Sequence, residues 1–152
     1  MKLTVTKEFT WDCAHMLTNH KGLCKNVHGH TYKMLVEVAH FGPSNVYTSQ
    51  SPEKEGMVVD FKMLKQKVQE RLISKLDHAF ITWDEGGEAE KDVVAVLKKH
   101  GLKVYHMEDR PTAENMAKHF FAVLQQYFKG TEIVIMSVTV YETPTSFAKF
   151  SN

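Results

Sequence analysis

Residues alternate with a period of two at both ends of this chain and recur with a period near 3.6 in between. That order restricts the possible folds more than any other feature of the sequence. From residue 3 to 15 the chain reads as a strand. Phe9, Trp11, Cys13 and His15 share one face, with Thr10, Asp12 and Ala14 on the other. Residues 16–29 are polar, include Gly22 and Gly29, and read as a loop. A second strand is predicted from about His30 to Phe41, through Tyr32, Leu35, Val36 and Val38, ended by Gly42-Pro43-Ser44-Asn45. Asp60 is placed to cap a helix over Phe61 to Leu76, where Phe61, Leu64, Val68, Leu72 and Leu76 form one apolar stripe. A shorter helix is predicted over 88–100, stopped by Gly101, with Leu102 to His106 extended. A third helix starts at Pro111-Thr112-Ala113-Glu114 and runs to Phe128. Thr131 to Tyr141 alternates again, and Phe147 to Phe150 reads as a short last strand. Two strands, then helices, then two strands predict an α+β fold: a four-stranded antiparallel sheet of two hairpins with helices on one face. Such a sheet has two open edges, so oligomerisation is expected.

The chain has 152 residues, which fits a single domain over 1–152. With 43% hydrophobic and 24% charged residues it can bury a core and is not disordered. A net charge of +1 gives no support for a nucleic-acid or membrane surface. No apolar run is long enough to span a bilayer, and the charged N-terminal stretch lacks a signal-peptide core, so a cytoplasmic location is expected. In a reducing compartment Cys13 and Cys24 stay unpaired.

Four of the nine histidines fall within residues 15–30. His28 and His30 are two apart and share a face in a strand; His15 ends the preceding strand. Three imidazoles with no fourth protein ligand describe a zinc site with an open position. No carboxylate completes a facial triad, which favours zinc over iron. Cys24, four residues before His28, is either a thiolate base or nucleophile beside that opening or a fourth ligand closing a structural site. Cys13, among Phe9, Trp11 and Ala14, reads as a small core residue. Asp77-His78 is either a carboxylate–imidazole proton relay or a solvated pair at a helix end. Glu142 falls in phase with Val134, Met136, Val138 and Val140. Either it faces the apolar side and needs a partner such as a ligand's amidine-like edge, or the strand has ended and it is exposed.

Six motifs stand in order along the chain: Phe9-Thr10-Trp11-Asp12-Cys13-Ala14-His15; Cys24-x3-His28-Gly29-His30-Thr31-Tyr32; Gly56-Met57-Val58-Val59-Asp60-Phe61; Leu76-Asp77-His78; Pro111-Thr112-Ala113-Glu114-Asn115; and Glu142-Thr143-Pro144-Thr145-Ser146. Together they resemble the 6-pyruvoyl-tetrahydropterin and 6-carboxytetrahydropterin synthase family over nearly the whole chain. Cys13 stands where the family usually has alanine, Thr31 where asparagine is frequent, and residues 84–106 are longer than in compact members.

The resemblance implies a tunnelling fold whose sheets join edge to edge into an oligomeric barrel, a homohexamer built as a dimer of trimers. It implies Zn2+ on His15, His28 and His30, Cys24 as general base, and Asp77 and His78 as the relay, serving a site formed between subunits. Glu142 would anchor the pterin through its 2-amino and N3 edge, and Thr112 would line the pterin pocket. Lys25, Lys33 and Arg110 are candidates for a triphosphate. The expected substrate is 7,8-dihydroneopterin triphosphate. The favoured outcome is 6-carboxy-5,6,7,8-tetrahydropterin, acetaldehyde and triphosphate, on the route to queuosine. The alternatives are the 6-pyruvoyl reaction on the same substrate and a non-catalytic zinc- or pterin-binding module.

Overall fold

A computed structural model describes residues 3–152. The strand β1, Thr4–His15, pairs antiparallel with β2, His28–His40, in one unbroken register from Thr4 opposite Ala39 to His15 opposite His28. Directly opposed residues share a sheet face. Trp11 with Tyr32, Cys13 with His30 and His15 with His28 therefore lie on one face, and Asp12 with Thr31 on the other.

Asp60 caps α1, Phe61–Val68, its carboxylate accepting from the N–H groups of Lys62 and Met63 at 2.7 and 3.2 Å. The helical path continues through a π turn at Gln69–Ile73 into the single turn α2, Ser74–Leu76, which brings the chain to Asp77. A last long helix, α4, Ala113–Phe128, leads into the antiparallel pair β5, Ile133–Thr143, and β6, Ser146–Ser151. Leu64, Val68, Leu72 and Leu76 join Met116, Phe120 and Leu124 over Phe9, Trp11, Tyr32, Met34, Val36, Val138 and Val140 in one core.

The sheet has six strands rather than the expected four, in the order β4-β3-β1-β2-β5-β6. The two additional ones are β3, Phe80–Trp83, and β4, Val104–Met107, joined through α3, Glu88–Lys99. They run parallel to each other, and β3 runs parallel to β1, which it meets only at Ala14 and His15. Parallel neighbours need a crossover, and α3 supplies it. The lengthened segment 84–106 thus supplies the helix and most of the last strand of a β-α-β edge unit. Nor do all helices lie on one face. Ile81 belongs to the core shared with α1 and α4, while its neighbour Thr82 turns the other way and bonds Glu90 of α3. The end of α3 follows the predicted glycine stop: Gly101 takes φ +67, its N–H bonds the Lys98 carbonyl, and the Leu102 N–H bonds that of Leu97.

Candidate metal and catalytic site

The aligned ends of β1 and β2 gather the three predicted imidazoles. One ligand nitrogen from each of His15, His28 and His30 lies within 4.8 Å of the other two. The strands can approach because residue 29 is glycine; a Cβ there would sit 3.1 Å from the Cys13 carbonyl oxygen. Two of the three rings are held from behind by the main chain. His15 Nδ1–H donates to the Pro111 carbonyl at 2.9 Å, and His28 Nδ1–H to the Asn26 carbonyl at 2.8 Å. That leaves both Nε2 atoms facing each other 3.0 Å apart. His15 is fully buried, and burial pushes its pKa down to about 4 against a backbone hydrogen bond that favours the charged form. Burial lowers His30 as well, opposed by Glu142. With their Nδ1 protons committed to carbonyls, the two rings turn their Nε2 atoms toward one point, an arrangement that suits a cation. His30 Nε2 completes the donor set: it is buried and has no hydrogen-bond partner among the described residues, with Glu142 Oε1 3.7 Å away. Ligand nitrogens on a tetrahedral zinc stand about 3.3 Å apart, so this set fits the ion with small ring movements.

Cys24 sits in a short 3-10 turn, Leu23–Lys25, half-buried and not among the grouped ligand atoms. Its carbonyl accepts from the Leu17 N–H at 2.8 Å, and the turn's last link, Asn26, is the residue whose carbonyl holds His28. One turn therefore carries the thiol and orients a ligand. Cys13 is a core residue as expected: it accepts from the Trp11 indole N–H at 3.2 Å, and burial pushes its thiol up to about 12.

Glu142 reaches the histidine face by a path the alternation does not reveal. The register of β5 on β2 slips at Glu37/Val38, so Ile133 and Ile135 point into the core before the slip and Val138 and Val140 after it. Val134 and Met136 are therefore not in phase with Val138, and Glu142, at a second register shift between Tyr141 and Thr143, brings Oε1 to 3.7 Å from His30 Nε2. Thr112 is the N-cap of α4, accepting from the Asn115 N–H at 3.4 Å, next to the Pro111 carbonyl that holds His15.

Asp77 and His78 are paired, Oδ1 to Nδ1 at 3.0 Å, but not beside the three histidines. They run along the edge of β1, where Asp77 Oδ1 accepts from the Asp12 N–H and the His78 N–H bonds the Asp12 carbonyl. His78 adopts φ +61, uncommon outside glycine, and borders a cavity of about 670 Å³ whose lining also includes His30. Partial burial would raise Asp77, but the Asp12 N–H, His78 and Lys103 outweigh it and hold its carboxyl low. Neither Asp77 nor His78 supplies an atom to the group formed by the three histidines.

Sequence reasoning missed the groups that brace the site. Pro111 and Asn26 act through carbonyls, which carry no side-chain signature. Lys103 donates to the carbonyls of Ser74 and Asp77 at 2.8 and 2.7 Å, fixing the corner that presents the relay. Of the triphosphate candidates, Arg110 already donates to the Thr18 carbonyl at 2.7 Å, and Lys33 lies over the Tyr141 ring at 4.2 Å from its centroid.

The fold and the three-histidine site together define a pterin-synthase type of protein, and comparison with known proteins agrees. The chain belongs to the 6-pyruvoyl tetrahydropterin synthase family, whose model matches residues 4–152. A protein of Haemophilus influenzae named 6-carboxy-5,6,7,8-tetrahydropterin synthase is 38% identical over 146 residues, covering 96% of each chain. A putative 6-carboxy-5,6,7,8-tetrahydropterin synthase of Pyrococcus horikoshii is 35% identical over 156 residues, covering 97% of this chain and 88% of the relative. Among solved structures, 6-pyruvoyl tetrahydropterin synthase of Caenorhabditis elegans superposes with a TM-score of 0.66 at 24% identity, covering 99% of this chain and 95% of the other. An uncharacterised protein of Wolinella succinogenes gives 0.72 at 21% identity, covering 100% and 99%.

Proposed function

We propose that this chain is a zinc-dependent carbon–carbon lyase that converts 7,8-dihydroneopterin triphosphate and water to 6-carboxy-5,6,7,8-tetrahydropterin, acetaldehyde and triphosphate, the queuosine-pathway reaction. The observation that carries it is the convergence of three imidazoles in a chain 38% identical, over 96% of its length, to a protein bearing that enzyme's name. His15, His28 and His30 would hold the ion. When bound, zinc would supply Lewis acidity toward the side-chain oxygens of the substrate. Glu142 would accept from the 2-amino and N3–H edge of the pterin, a bidentate match for a carboxylate. Cys24 would remove a proton from the side chain as general base, and Asp77-His78 would return one. Because neither relay residue joins the histidine group in one chain, the pair would act on the site of a neighbouring subunit in an oligomer of the family's kind, a homohexamer. Thr112 would border the pterin while capping α4.

The name of the matching family model and the Caenorhabditis elegans neighbour favour a second reading, the 6-pyruvoyl reaction, in which triphosphate is eliminated and the three-carbon side chain stays. Mass analysis of the products separates the two. The carboxy reading requires a one-carbon carboxyl substituent and free acetaldehyde. A retained three-carbon side chain without acetaldehyde overturns it.

A further inference from the structure

The edge unit that lengthens this chain buries a carboxylate. Glu90 of α3 is fully enclosed, and both its oxygens accept hydrogen bonds: one from Thr82 Oγ1 at 2.8 Å, the other from Thr18 Oγ1 at 2.6 Å. Thr18 is gripped from two further directions. Its Oγ1 accepts from the Gly87 N–H at 3.1 Å, and its carbonyl accepts from Arg110 Nη2 at 2.7 Å. Two glycines make the close fit possible. A Cβ on Gly87 would stand 2.6 Å from Thr18 Cγ2, and one on Gly86 2.8 Å from Glu90 Cδ.

A helix that had only to be seated on a sheet could use a leucine here. An enclosed carboxylate is costly unless its partners are fixed, and what it gains is direction. The direction falls on the junction between metal ligands and thiol. Thr18 stands three residues past His15. Leu17, before it, donates its N–H to the Cys24 carbonyl. Arg110, on its other side, precedes the Pro111 carbonyl that holds His15. We infer that Glu90, acting through Thr18, is a positioning residue that sets Cys24 relative to the histidine site, and that this is a role of the 84–106 unit. The inference rests on Cys24 being the general base. An error of about 1 Å in such a group can cost about 10²-fold in rate.

The test uses the full-length zinc-loaded protein with Thr18→Val, Thr18→Ser, Glu90→Gln and Cys24→Ser. Two quantities are read: steady-state kinetics, and the rate at which iodoacetamide alkylates the native protein. Because Cys13 is buried, alkylation reports Cys24. Thr18→Val and Glu90→Gln are expected to lower kcat by about 10²-fold with KM held within about threefold, and to change the alkylation rate by about fivefold or more. Thr18→Ser, which keeps the hydroxyl, is expected to stay near wild type on both. If Glu90→Gln does not fold, the two Thr18 variants decide alone. Folded Thr18→Val protein with unchanged kcat and unchanged alkylation overturns the inference. An active Cys24→Ser protein overturns the general-base reading instead, and the alkylation rates then still show whether Glu90 and Thr18 place that thiol.

Discussion

At the scale of single residues, the site keeps three imidazoles that could hold a metal apart from the Cys24 thiol, which is not among the grouped atoms. Cys24→Ala should keep its zinc and lose about 10²-fold or more in kcat, because general-base contributions are of that size; metal analysis beside kinetics checks it, and loss of zinc would instead make Cys24 a ligand. His15 gives a pH dependence to the metal-free protein. Its pKa is about 4 when folded against an ordinary 6.5, so between those values the unfolded chain binds a proton that the folded chain refuses. Its contribution is complete above pH 6.5 and drains as pH falls toward 4, on the order of 3 kcal/mol in all. Urea melts of metal-free protein at pH 7 and pH 5 should differ in that sense, and His15→Asn should shrink the difference. The three histidines were legible because strand alternation places them on one face. Glu142 was legible only by accident, since the bulge at Glu37/Val38 resets the phase that pointed to it. The carbonyls of Pro111 and Asn26 were not legible, because any residue carries one.

At the scale of elements, long periodic stretches announced themselves and short ones did not. β1, β2, α3, α4 and the Asp60 cap fall where periodicity and capping chemistry put them. Asp60→Ala should cost about 1 kcal/mol in denaturant unfolding while leaving kcat near wild type, because two orphan N–H groups lose their acceptor far from the chemistry. β3 escaped detection: four residues are too few to show alternation, and its parallel pairing to β1 covers only Ala14 and His15. With β3 missing, β4 had no partner and the edge unit no form. The π turn at Gln69–Ile73 was equally hidden, since the stripe from Phe61 to Leu76 reads as one helix.

At the scale of the whole molecule, the exclusion of Asp77-His78 from the histidine group is the feature with the widest consequence. If the relay of one subunit serves the site of another, inactive Cys24→Ala and His78→Ala proteins should complement on joint refolding. About a quarter of wild-type activity would return in a random one-to-one assembly; no recovery would place thiol and relay in one subunit. No helix among the described residues is long and apolar enough to cross a membrane, and the free length of β1 beyond its two-residue contact with β3 leaves sheet edge open for pairing. Absorption spectroscopy at the zinc edge of the purified protein tests the central claim most directly. The account predicts three nitrogen neighbours and a fourth light atom; a sulfur neighbour at about 2.3 Å would contradict it, because the thiol would then fill the position the chemistry needs.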